Sequence, residues 1–224
     1  MKQIKIAELV LDFSLYPRTQ IDSSHVRYMI IANKGGAKFP PIVIDKHSKR
    51  VIDGFHRVTM YKRIDKDAMV DVIEKAYASE KEMFADSVRW NSNHGRNLSP
   101  YDRTHCILRA EEIGLTVEEI ASSLSMTVEA IGEMRAEKVG KLRVAGKSTE
   151  IPLKRTISHM SGKSLTTRQY EANDRLGGMN QMFYVNQLVE LLEADLIDWD
   201  NEEMADKLRH LGDLINSALK TMAA

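Results

Sequence analysis

The residues best placed to do chemistry lie together in Asp53-Gly54-Phe55-His56-Arg57. They follow two apolar runs, Pro41-Ile42-Val43-Ile44 and Val51-Ile52, and precede Val58-Thr59-Met60-Tyr61-Lys62-Arg63. This order predicts two short strands, a glycine turn and a helix. His56 and Arg57 would then fall in the first helical turn, where the dipole already presents partial positive charge and a cation costs about 0.3–1 kcal/mol. A phosphate would offset that cost, because free backbone N–H groups, a glycine permitting close approach and two basic side chains would converge on it. The expectation is an anion site. The competing reading is a plain turn, since Asp-Gly is also a strong hairpin signal.

Two further groups could carry chemistry. Asn91-Ser92-Asn93-His94-Gly95-Arg96 is a polar break between helical patterns. Asp45, Asp53 and Glu74 are the acids that could converge to hold metal ions for hydrolysis. Cys106 is the only cysteine, which excludes an intrachain disulfide and a thiolate metal cluster. It neighbours His105 within one helical pattern, so the two point to different faces, and Cys106 is expected to be a small core residue. No resident metal site is assigned.

The elements that must position these groups follow from pattern and punctuation. Ile4 to Val10 reads as a strand, and Asp22 as the N-cap of a helix carrying Val26, Met29 and Ile30 and ending at Lys34-Gly35-Gly36. Met69-Val70-Asp71-Val72-Ile73 alternates as a strand. Ser79-Glu80-Lys81-Glu82 opens a helix through Phe84 and Val88 to Trp90. Ser99-Pro100-Tyr101-Asp102 opens another, which Gly114 stops. Two short capped helices, from Thr116 and from Thr127, are joined by a tight turn with Ile120, Leu124, Val128 and Ile131 inward, the pattern of a helix-turn-helix. The domains expected are residues 1–76 (α/β), 77–139 (helical, with the helix-turn-helix at 115–138), 140–152 (basic linker) and 153–224 (helical). Met182, Val185, Leu188, Val189, Leu192 and Leu196 mark one helix face, and Met204, Leu208, Leu211, Ile215, Ala218 and Met222 approach a coiled-coil seam. Residues 181–222 are therefore expected to pack on each other or to make a homodimer.

Composition is that of a globular chain of 224 residues with 43% hydrophobic and 29% charged residues. The net charge is zero but unevenly placed. Residues 135–155 hold seven basic side chains against two acids, and residues 186–213 hold nine acids against two bases. This asymmetry suggests two jobs, or one segment masking the other. No apolar run approaches membrane-spanning length, and the N-terminus lacks the apolar core of a signal peptide, so the expected location is the cytoplasm.

Pro17-Arg18, Pro41-Ile42-Val43, Asp53-Gly54-Phe55-His56-Arg57 and a polar motif before Leu98-Ser99-Pro100 and a helix-turn-helix follow one another in an order that resembles the ParB family. The resemblance covers residues 1 to 138. It implies an α+β ParB/sulfiredoxin-like N-terminal domain, then an all-α helix-turn-helix domain and a helical C-terminal element. It places Gly54, Phe55, His56 and Arg57 at the phosphate-binding motif, Arg18 near the nucleotide, and Asn91, Ser92, Asn93, His94, Gly95 and Arg96 in the stretch that closes over the triphosphate. The ligand implied is CTP, or another nucleoside triphosphate, with Mg. Asn91 stands at the family's glutamate position and Ser92 at its asparagine position, so no catalytic residue is assigned. Phe55 stands where sulfiredoxin would need its cysteine.

The function expected is that of a ParB-like DNA-binding protein, of partition or transcription-regulator type, switched by the nucleotide. Thr127, Arg135, Lys138, Lys141 and Arg143 are the candidate DNA contacts. The second helix of the motif also carries Glu129, Glu133 and Glu137, which phosphates would repel. Two alternatives stay open: a ParB-like nuclease or nucleotide hydrolase, and an adaptor whose helix-turn-helix binds protein.

Overall fold

A computed structural model describes residues 2–93, 97–144 and 146–222. It divides into two units, residues 1–178 and 179–224.

The first unit begins with a four-stranded sheet made of β1 (Lys2–Lys5), β2 (Ile42–Asp45), β3 (Val51–Asp53) and β4 (Met69–Lys75), in the order β1-β4-β2-β3. β2 runs parallel to β4, while β1 and β3 pair antiparallel to their neighbours. The strand expected at Ile4–Val10 is shorter than its apolar pattern suggested. After Lys5 the chain turns into a 3-10 helix over Ile6–Glu8, and Val10 rejoins only by an isolated bridge to Arg50. Ile6 and Leu9 are nonetheless buried, so that pattern recorded packing rather than extended backbone.

All four residues of β2 are buried, which means both faces of the sheet are covered. Ile42, Ile44 and Val51 pack with Phe55 and Val58 of α2 (Phe55–Ile64). Val43 and Ile52 turn the other way, toward Phe84 and Val88 of α3 (Glu80–Asn93) and toward Cys106, Ile107, Ile120 and Ile131. Those last residues belong to α4 (Pro100–Glu112), α5 (Val117–Leu124) and α6 (Val128–Lys138). The sequence segments 1–76 and 77–139 therefore share one core. Opposite-face alternation along β2 and β3 makes this possible, because successive side chains leave a strand on opposite sides. α1 (Ser23–Lys34) adds a small cluster in which Val26 and Met29 meet Met60 of α2.

Residues 140–152, expected as a linker, form a β-hairpin instead. β5 (Val139–Val144) pairs antiparallel with β6 (Lys147–Pro152), and β7 (Ser164–Leu165) adds a parallel edge. The glycines and charges that looked like linker punctuation have structural roles. Gly146 takes a positive φ of 79° beside the tip. At the hairpin base Gly140 is buried, where a Cβ would come within 2.8 Å of Leu165 Cδ1. Residues 153–178, expected as part of a C-terminal helical domain, fall in the first unit. Leu153 is buried with Ile151 and Leu165, and α7 (Thr167–Arg175) sends Asn173 to the backbone of Pro152 and Lys154.

The second unit contains α8 (Gln181–Glu193) and α9 (Glu202–Met222), and neither helix has a buried residue. Among the described residues no helix is long and apolar enough to cross a membrane.

Candidate functional site

Gly54 sits at the N-cap of α2 with φ 108° and ψ 23°, a left-handed conformation that strongly favours glycine. Phe55, His56 and Arg57 are the first three residues of the helix. Their N–H groups precede any intrahelical acceptor, so the donor end of a ten-residue helix opens at the turn. Side-chain space is also limited there. A Cβ on Gly54 would stand 3.1 Å from Nε and Nη2 of Arg57.

The electrostatic conflict expected at this helix start is resolved within the protein. Arg57 Nη1 donates to the carbonyls of Pro40 and Pro41 at 2.6 and 2.7 Å, and its Nη2 donates to the Asp53 carboxylate. Arg57 thus fastens the β2 entry to the glycine turn. His56 Nε2 accepts the backbone N–H of Asp22 at 3.2 Å, which places the ring proton on Nδ1. The ring also meets His25 and Tyr16 edge-on, with centroids 5.1 and 6.2 Å apart. What remains available to an anion is the glycine cradle and the helix amides, with Asp53 held away by Arg57.

The loop 16–22 ties this turn to the helices that follow. At one end, Tyr16 stacks on Phe55 with centroids 4.5 Å apart, and Asp22 contacts His56. Midway, Arg18 Nη1 donates to the Asn97 carbonyl at 3.3 Å, which places this half-buried guanidinium beside the end of the 91–96 stretch. Thr19 N donates to Asp102 Oδ1 at 3.1 Å, and Cys106 Sγ donates to the Pro17 carbonyl at 3.1 Å. Asp102 meanwhile completes the capping box with Ser99 at the start of α4. Cys106 is a buried core residue, and burial pushes its thiol pKa upward. The signal that could have found this bridge is Asp102 itself, a cap residue whose second oxygen is available to another backbone segment.

Of the partner stretch, Asn91 Nδ2 donates to the Ser87 carbonyl at 2.9 Å, and the Ser92 hydroxyl is buried with no hydrogen-bond partner among the described residues. Asn93 ends α3. His94, Gly95 and Arg96 lie outside the described residues.

The acids that might have converged do not. Asp45 holds Ser48, Asp53 holds Arg57, and Glu74 lies between Lys2 and Lys49. Hydrogen bonds from Lys2 and Lys49 lower the Glu74 pKa to about 2. Among the described residues no group of three or more His, Cys, Asp or Glu side chains could hold a metal ion.

The candidate DNA contacts divide in two. Thr127 caps α6, its hydroxyl accepting from Ala130 N at 3.2 Å. Arg135 is bound by both Glu111 and Glu150, and Lys138 reaches Glu137 at 3.4 Å. Lys141 and Arg143 lie on β5, both exposed.

No family model matches the chain. In sequence it is 30% identical over 117 residues to a possible regulatory protein of the streptomycin biosynthesis operon of Streptomyces griseus, a match that takes in 51% of this chain and 32% of that protein. The chain thus spans about a third of the length of the curated relative it matches. Among solved structures it is similar to the C-terminally truncated chromosome-partitioning protein ParB from Caulobacter crescentus. With that protein complexed to the centromeric parS site the TM-score is 0.44 at 13% identity, over 61% of this chain and 71% of the other. With the same protein complexed with CTP-gamma-S it is 0.37 at 13% identity, over 60% and 77%. A Pnob8-like ParB-N domain gives 0.40 at 14% identity, over 66% and 56%. The chain resembles ParB proteins in the order of its motifs, and ParB proteins are among the solved structures it is similar to.

Proposed function

We propose that the chain is a ParB-like DNA-engaging protein of regulator or partition type, whose hold on DNA is switched by a nucleoside triphosphate, CTP by family resemblance. The observation that carries this reading is the 16–22 loop. It touches Phe55 and His56 at the glycine turn, Asn97 at the exit of the 91–96 stretch, and Asp102 and Cys106 on α4. A switch needs an element that couples both sites, and this loop joins the glycine turn to α4, which packs on the α5–α6 pair.

In this reading the amides of Phe55 and His56 and the Arg18 guanidinium hold phosphate oxygens, and the family resemblance gives the 91–96 stretch a share in holding the triphosphate. A bound triphosphate supplies negative charge that the helix N-terminus favours. Arg57 positions the turn through Asp53, Pro40 and Pro41. Movement of Arg18 or His56 is passed to α4 through Thr19–Asp102, and α4 packs on the α5–α6 pair proposed as the DNA-engaging helix-turn-helix. The similarity to a possible regulatory protein of Streptomyces griseus supports the regulator type. The exposed apolar residues of α8 and α9, among them Met182, Val185, Leu192 and Ile215, support self-association through residues 181–222. The proposed compartment is the cytoplasm.

The test is a titration of labelled CTP, ATP and GTP with and without duplex DNA. CTP should bind, DNA should change its affinity, and CTP should change DNA affinity by the same factor. Arg18→Ala should weaken CTP at least about tenfold, the loss of one charge-assisted hydrogen bond, with the urea midpoint of unfolding unchanged. Failure of every triphosphate to bind would remove the switch.

A further inference from the structure

We propose that the β5–β6 hairpin is a wing that grips the phosphate backbone of duplex DNA beside α6, and that it, rather than α6, supplies most of the attractive charge. This rests on the reading of the protein as DNA-engaging and adds the element that performs it.

The first observation is how the hairpin is mounted. β5 begins at Val139, directly after the last residue of α6, so its position is set by that helix. Its base is fastened on several sides. Leu153 N donates to the Lys138 carbonyl at 2.8 Å, Gly162 N donates to the Val139 carbonyl at 2.8 Å, and the Ser161 hydroxyl donates to the carbonyls of Ala136 and Val139. Val139, Gly140 and Ile151 are buried there. β7 pairs only as far as Leu142. Arg143 and Val144 run on past it, opposite Ser148 and Lys147, for about 7 Å at ~3.4 Å per strand residue. Every described residue from Arg143 to Glu150 is exposed. A rigid base with a narrow two-stranded projection is a shape that DNA grooves admit.

The second observation is where free charge lies. The cations of α6 are engaged, Arg135 by Glu111 and Glu150 and Lys138 by Glu137, and the same helix carries Glu129 and Glu133. The hairpin is the reverse. Lys141, Arg143 and Lys147 make no ion pair and no side-chain hydrogen bond among the described residues. The hairpin's one acid, Glu150, is turned onto Arg135. The Lys163 carbonyl accepts from Lys141 N at 2.9 Å, which brings a fourth exposed cation to the same edge. An acidic, internally paired helix is a poor phosphate partner, whereas unpaired cations on an exposed projection release counterions at each phosphate they meet. Register places Lys141 and Arg143 on one face of the hairpin and Lys147 on the other, the arrangement needed to reach phosphates on both sides of a groove.

The experiment measures binding of the full chain to a labelled duplex by fluorescence anisotropy between 50 and 200 mM salt. Wild type is compared with the triple variant Lys141→Ala, Arg143→Ala, Lys147→Ala and with a charge-matched control, Lys38→Ala, Lys46→Ala, Lys66→Ala. Three lost phosphate contacts should make the slope of log K against log salt shallower by about 2.7 and lower affinity at 100 mM salt at least about tenfold. The control should match wild type, and all three proteins should unfold at the same urea midpoint. Equal losses in both variants, or an unchanged slope in the hairpin variant, would overturn the wing while leaving DNA engagement standing. Tighter binding of the hairpin to single-stranded RNA than to duplex DNA would overturn the choice of partner. Absence of any wild-type binding to duplex DNA would remove both the wing and the reading on which it rests.

Discussion

The glycine turn at Gly54 and the hairpin tip at Gly146 are both basic and both built on a glycine with positive φ, yet they use charge in opposite ways. At the turn, Arg57 is only 12% exposed at its side chain and is held by two carbonyls and a carboxylate. At the hairpin, Arg143 is exposed and has no partner among the described residues. A guanidinium enclosed by acceptors stabilises its own fold and has little left to offer a ligand. One standing in water adds almost nothing to the fold and remains available. The difference separates residues that build the fold from residues left available to a partner, a distinction that residue type alone does not make.

Stability measurements can break or sharpen that contrast. The largest effect should come from Arg57→Ala, which strands the Asp53 carboxylate and two carbonyls at a partly buried position. A loss of about 3 kcal/mol is expected in urea unfolding, with the m-value unchanged. A loss below about 0.5 kcal/mol, the level of ordinary surface substitutions, would show that the turn does not depend on this clamp. Arg135→Ala removes a guanidinium shared by Glu111 and Glu150 at a half-exposed position, so about 1 kcal/mol is expected, read from the same midpoint. An Arg135 variant as stable as wild type would mean that the helix cation is free after all, and would return α6 to the list of phosphate contacts.

The smallest effect is pH-dependent and concerns Glu74, the acid that joins Lys2 on β1 to Lys49 beside β3. Its pKa is lowered from the ordinary 4.5 to about 2 by hydrogen bonds from these two lysines. A carboxylate depressed by folding contributes stability that is fully present above its unfolded pKa and is lost as pH falls through the folded one. Wild type should therefore melt above Glu74→Gln at pH 6, and the gap should close between pH 4.5 and pH 2. A gap independent of pH would assign the difference to packing instead of charge.

Much of the α/β framework was legible before any coordinates. Strands at Ile42–Asp45 and Val51–Asp53, the glycine turn and the helix from Phe55 all follow from apolar runs and one Asp-Gly step, because these signals are local. Caps at Asp22, Ser99, Thr116 and Thr127 were readable for the same reason, since a cap and its N–H partner lie three residues apart. The hairpin at 139–152 escaped notice. Its strands carry Lys141, Arg143, Lys147 and Glu150 among few apolar residues, and β7, which covers its edge, comes from more than twenty residues away. The 16–22 bridge escaped for a related reason, because its partners Phe55, Asn97, Asp102 and Cys106 are distant in sequence and the bonds are largely to backbone, which any residue supplies.

The sequence by itself determined where the first strands and the capped helices begin, which glycine must turn left-handed, and that no intrachain disulfide or thiolate cluster is present. The tertiary structure alone decided which cations are free. Arg57, Arg135 and Arg143 are chemically identical, and only the carbonyls and carboxylates that folding brings within 3 Å of the first two, and among the described residues not of the third, divide anchored from available cations. Hydrogen bonds and ion pairs act over a few ångströms. Spacing along a chain predicts such neighbours within an element, while packing between elements sets the rest.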